Sequence, residues 1–143
     1  MSTITSILRN TEHSIGNLPD VRAVHWLPRI LLAAIIIQQG MIKFPLMPAV
    51  AEGLGVPYML YVLAAVGQLA AGAALIVGGF ARAPFGDLLT RLGGFAVAAV
   101  TMSVLVVVYS VFSRSPEMFW AGHKLHLLLI VGGLYFAARG NRA

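Results

Sequence analysis

Apolar residues run through this chain in four long stretches, over about residues 26–44, 59–80, 92–112 and 120–138, with short polar or Gly/Pro-rich connections between them. A helix rises 1.5 Å per residue, so ~20 apolar residues cross a hydrocarbon core ~30 Å thick, and each stretch is about that long. The pattern predicts an all-α fold, a four-helix up-down transmembrane bundle. Its short connections require neighbouring helices to pack antiparallel. Residues 1–25 form a polar N-terminal segment, and residues 26–142 form one four-span membrane domain.

Local signals set the ends of the spans. Pro28 suits the first turn of span one, and Trp26 the interface beside it. Pro45 and Pro48 end that span. The following segment, with Glu52, Gly53, Gly55 and Pro57, predicts an outer loop carrying one helical turn. Tyr58 and Tyr61 make a second interfacial pair. Gly79, Pro84 and Gly86 mark an inner loop charged by Arg82, Asp87 and Arg91, and residues 113–116 make the last outer loop. On span two, Ala70, Ala74 and Gly78 repeat every four positions, as do Gly67 and Ala71, which lets helices approach closely in lipid. A contact within the chain accounts for this stripe more simply than a dimer interface. In the N-terminal segment Ile4, Ile7 and Leu8 lie at helical spacing, which fits a short interfacial helix as well as a disordered tail. That segment lacks the apolar run of a cleavable signal, so the first span is expected to stay in the mature protein.

Composition agrees with lipid as the solvent. The chain is 59% hydrophobic and 10% charged, with a mean hydropathy of +0.86. A soluble domain of this size leaves about a third of its surface in water and could not hide so much apolar area. The net charge of +5 raises the question of nucleic acid, but its distribution answers it. Counted across alternating spans, Arg9, Arg22, Arg29, Arg82, Arg91, Arg139 and Arg142 fall on one side, and Lys43, Arg114 and Lys124 on the other. That asymmetry follows the positive-inside rule and places both termini in the cytoplasm, with anionic inner-leaflet lipid as the basic residues' partner. No basic patch of the kind that binds nucleic acid is visible. With no cysteine, thiol redox chemistry, thiolate metal sites and iron–sulfur clusters are excluded.

The polar residues that interrupt the spans are the best pointer to function, because such groups are costly in lipid. They are Gln38, Gln39, Lys43, Gln68, Tyr109, His123, Lys124 and His126. With the N-terminus inside, all fall in the outer half of the bundle, and the inner half contributes few. This predicts a pocket opening away from the cytosol, with Gln39, Lys43, Gln68, Tyr109, His123 and His126 as candidate ligand-binding residues. In the competing reading, Lys43 and Lys124 snorkel to the interface and the amides bond neighbouring helices. His123 and His126 share a helix face. A metal needs further ligands, and the acids on that side, Glu52 and Glu117, sit in loops, so no metal site is assigned. A pair that bonds a quinone carbonyl or relays protons suits a lipid-facing cavity better than a metal, and interfacial histidines with no chemistry are the simplest reading of all. The spans hold no acidic residue, and the chain has no nucleophile elbow, phosphate loop or dinucleotide fingerprint. Whether the chain is itself an enzyme is left open.

Several of these residues resemble a known family. Arg29, with Gly40 and Lys43 in Gly-Met-Ile-Lys-Phe, is similar to the first-span signature of the DoxX family of small bacterial membrane proteins. The stretch from Val66 to Arg82 is similar to that family's second span, a polar residue followed by a glycine-rich run and Gly-x-x-x-Arg, here Gly78 and Arg82. The ending at Gly140 and Arg142 fits as well. The resemblance implies a four-span protein of the bacterial inner membrane, with relatives in a thiosulfate:quinone oxidoreductase and in assemblies for thiol and oxidative stress. It carries Lys43 over as a polar group of the outer half. Where the family usually has Glu, this chain has Gln68, which keeps the shape but cannot titrate.

Three functions follow as expectations. The first is a subunit or partner of a quinone-linked membrane oxidoreductase, with quinone as the cofactor. The second is a structural or assembly subunit of a larger membrane complex, or a homo-oligomer, with no catalysis of its own. A small-solute channel or carrier is third, since four spans are few for a pore.

Overall fold

The computed structural model describes residues 25–45, 48–107 and 116–141. Five helices, and no strand, are found among them: α1 (Trp26–Met41), α2 (Pro48–Gly53), α3 (Tyr58–Phe80), α4 (Phe85–Val107) and α5 (Pro116–Arg139). The all-α expectation holds, and α2 is the helical turn expected in the first outer loop. Two helices, α3 and α4, are long and apolar enough to cross a membrane. The predicted N-terminal helix, Tyr109 and Arg114 lie outside the described residues.

The four long helices pack in chain order, and their contacts fix the direction of each. Arg29 at the start of α1 reaches Leu75 near the end of α3, while Lys43 just past α1 reaches Gln68 in the first half of α3. The two helices therefore run antiparallel. Along the next seam Gly67 faces Val100, Gly93 faces Ala71 and Ala74, and Gly78 faces Thr90 and Gly86. Gly67, Ala71, Ala74 and Gly78 of the four-residue repeats are thus spent on the contact between α3 and α4, whereas Ala70 is exposed. At the third seam Gly94 and Gly133 bring two backbones together: a Cβ added to Gly94 would stand 2.6 Å from both Gly133 O and Ala137 N. By contrast α1 and α5 touch only sparsely. Leu32, Ala33 and Ile36 from α1, Ala71 and Leu75 from α3, Val97 from α4, and Leu129 and Phe136 from α5 form the shared core.

Several boundaries differ from those the pattern predicts. The helical part of the first apolar stretch stops at Met41, and Ile42–Pro45 forms a turn whose amides bond back to Gln38, Gly40 and Met41. Helix α4 starts at Phe85, so Gly86, Asp87 and Arg91 belong to the helix and not to a loop. Pro84 stands just before it, Asp87 in its first turn complements the positive end of the dipole, and Arg91 one turn later pairs with Asp87 at 2.8 Å. Helix α5 opens at Pro116, which brings Glu117 into the helix. Outside the core the long helices present large apolar side chains, among them Leu27 (69% exposed), Leu63 (68%), Phe80 (77%), Phe95 (62%) and Val131 (66%). Exposed apolar surface of this extent marks contact with another apolar phase.

Candidate functional site

Polar side chains from α1, α3, α4 and α5 meet at a cavity of about 510 Å³ near the α2 end of the bundle. Its lining is mainly apolar, from Ile42, Val50, Leu54, Leu60, Leu63, Val104 and Leu129. Gln39, Lys43, Tyr61, Gln68, Thr101, Ser103 and His126 supply the polar groups. An apolar wall carrying a few polar groups is the usual make-up of a small-molecule site.

Lys43 organises the polar side of the cavity. Its Nζ donates to Gln68 Oε1 at 2.7 Å and to the Gln39 carbonyl at 2.9 Å. Both acceptors are neutral oxygens. An ammonium has three N–H bonds, so one remains for a ligand. The backbone before Pro45 is held by Tyr61, whose hydroxyl donates to the Lys43 carbonyl at 3.1 Å. Pro45 cannot continue a helix, which is why the chain turns here and lets Lys43 fold back toward α3. Gln68 is 4% exposed, so its side chain is fixed by packing as well as by Lys43.

Of the residues picked out by sequence, Gln39, Lys43, Gln68 and His126 come together at this cavity. His123 does not line it. It is buried, with its ring 5.9 Å from that of His126 in an edge-to-face arrangement. Gln38 and Lys124 are exposed. No group of three or more His, Asp or Glu side chains among the described residues is placed to hold a metal ion. Three polar lining residues were not among the candidates. Tyr61, expected at the interface, is 7% exposed and serves the site, whereas Tyr58 is exposed. Thr101 and Ser103 sit in an apolar run in which a small hydroxyl gives no signal of its own.

A second polar cluster lies at the opposite end of the bundle, where few hydrogen-bonding groups were expected. The buried Arg29 donates through Nη1 to Leu75 O and Thr90 Oγ1, both at 3.0 Å, and through Nη2 to Asn141 Oδ1 at 2.8 Å. Its guanidinium also lies over the rings of Trp26 (5.4 Å) and Phe136 (5.1 Å). Thr90 Oγ1 donates to the same Asn141 oxygen at 2.7 Å, and Asn141 Nδ2 donates to Gly78 O at 2.8 Å. The Asn141 amide donates to Asp87 Oδ1 at 2.8 Å, and Arg91 covers the last carbonyls of α5. Gly140, at φ +61°, supplies the left-handed turn that swings Asn141 back over the helix ends. The cluster's hydrogen bonds join α1, α3, α4 and the segment just past α5, which makes it a fastening of the bundle.

No family model matches the chain, and no curated protein or solved structure is detectably similar to it.

Proposed function

We propose that the chain is a DoxX-like protein that crosses the bacterial inner membrane four times, with both termini in the cytoplasm, and serves as a subunit or partner of a quinone-linked oxidoreductase system. The observation that carries this reading is the Lys43 ammonium, held by two neutral oxygens at the wall of an apolar cavity with one N–H to spare. A quinone has the matching chemistry: an apolar ring and tail with carbonyl oxygens that accept hydrogen bonds. A fixed positive charge beside such an oxygen stabilises the negative charge that reduction would place on it. Gln39, Gln68 and His126 complete the polar wall. The apolar outward faces of the helices and the likeness of Arg29, Gly40, Lys43 and Arg82 to the DoxX pattern support the membrane part of the reading.

Extracting the purified protein with organic solvent and measuring its quinone tests the proposal. Quinone is expected with the wild-type protein and not with Lys43→Ala. A wild-type protein that carries no quinone and shows no quinone-dependent redox activity overturns it.

A further inference from the structure

Thr101 is 1% exposed, lines the cavity, and its Oγ1 has no hydrogen-bond partner. A helical Ser or Thr ordinarily bonds a carbonyl one turn back, and Ser103 does so, donating to Ala99 O at 2.8 Å. A buried hydroxyl without a partner is costly and uncommon, and calls for an explanation.

Its position supplies one. Gly67 on α3 faces Val100 on α4, so Thr101 lies at the depth of Gln68. Gln68, Thr101 and Leu129 are the buried end of the lining, at 4%, 1% and 1% exposure. Ile42, Leu60, Leu63 and Val107, at 69%, 50%, 68% and 50%, are its exposed end. The cavity thus runs from an apolar rim to a floor with hydrogen-bonding groups on two sides, the Lys43–Gln68 pair toward α1 and α3 and the Thr101 hydroxyl on α4. A head group that reaches this floor needs a polar atom for each.

We propose that Thr101 is a ligand-binding residue of this cavity: the ligand enters head first, one oxygen accepts from Lys43 Nζ, and a second accepts from Thr101 Oγ1. The apolar body then lies along Leu60, Leu63 and Val107 toward the rim. This rests on the quinone reading and sharpens it, because a 1,4-quinone carries acceptors on opposite sides of one ring. A lipid with a single polar atom would leave the hydroxyl unanswered.

The test is equilibrium binding of ubiquinone-1 to the full chain in nanodiscs, for wild type, Thr101→Val and Thr101→Ser, together with the melting temperature of each without quinone. Losing one hydrogen bond weakens binding by about fivefold to tenfold, the result expected for Thr101→Val. Thr101→Ser keeps the hydroxyl and binds within about twofold of wild type. Without quinone, Thr101→Val melts at or above wild type, since it removes a hydroxyl that bonds nothing in the protein. Equal binding by Thr101→Val and wild type overturns the role of Thr101 and leaves the quinone reading standing, as does a ligand-free Thr101→Val that melts earlier. Absence of ubiquinone-1 binding by wild type removes the quinone reading and this inference with it.

Discussion

Arg29 and Asn141 stand 112 positions apart in the chain, yet Nη2 of one donates to Oδ1 of the other at 2.8 Å. The contact joins the start of α1 to a residue just beyond α5, two helices that otherwise touch only sparsely. Thr90 adds α4, and the carbonyls of Leu75 and Gly78 add α3. One guanidinium and one amide therefore fasten four helix ends.

Arg29→Leu removes those bonds and leaves buried acceptors unanswered, a loss of about 2–3 kcal/mol for a charged, buried donor. Arg29→Lys is expected to recover little, because a single ammonium cannot reproduce the planar fork. Thermal unfolding in mild detergent measures both. A melting temperature for Arg29→Leu equal to that of wild type contradicts the fastening role.

At the cavity, Gln68→Leu takes from Lys43 its closest acceptor, at 2.7 Å. A drop of about 1–3 kcal/mol in stability is expected from a buried donor losing its partner. Gln68→Glu keeps the length, sets a carboxylate against the ammonium, and is expected to hold or raise stability. Denaturant titration of the pair against wild type distinguishes the outcomes; a Gln68→Leu protein as stable as wild type shows that the contact contributes nothing.

The close seam between α4 and α5 predicts a position-dependent response to one added methyl group. Gly94→Ala places it against the backbone of Gly133 and Ala137, neither of which can swing away. Overpacking of this kind costs about 1–3 kcal/mol. Gly53→Ala, where nothing lies within 4 Å, serves as the control and should be neutral or slightly stabilising. Melting curves that rank the two the other way contradict the backbone contact.

Topology can be tested without background, because the natural chain contains no cysteine. With cytoplasmic termini, Glu52→Cys faces outward and Ala83→Cys inward. A membrane-impermeant maleimide applied to intact spheroplasts should label the first and reach the second only after lysis. The reverse pattern inverts the assignment.

The convergence of Gln39, Lys43, Gln68 and His126 was legible in the sequence for a physical reason. A polar residue in an apolar span must find a partner, and antiparallel helices of known rise fix the depth at which it looks. His123, three positions from His126, shares its helix face and yet does not reach the cavity, since a face about 100° wide does not say which edge meets which neighbour. Tyr61 was misplaced because an aromatic residue near the start of a span has the same signature whether it anchors at the interface or turns inward. Arg29 and Arg91 were legible in the charge asymmetry, Arg29 also in the DoxX-like first span, and Asp87 as a loop charge, whereas the neutral Asn141 gave no signal. Their joining depends on Gly140 reversing the chain and on Pro84 starting α4 early enough to place Asp87 beneath it, and neither follows from hydropathy.

The unequal seams give the bundle a stiff side and a compliant side. Helices α4 and α5 meet backbone to backbone and resist separation. Helix α1 is clamped at Arg29, is tied among the described residues to α3 alone at its Lys43 end, and meets α5 only sparsely, so it is the least buttressed wall of the chamber. Swelling of that chamber around a bulky guest would tilt α1 like a lever about its guanidinium pivot, while the opposite wall stayed still.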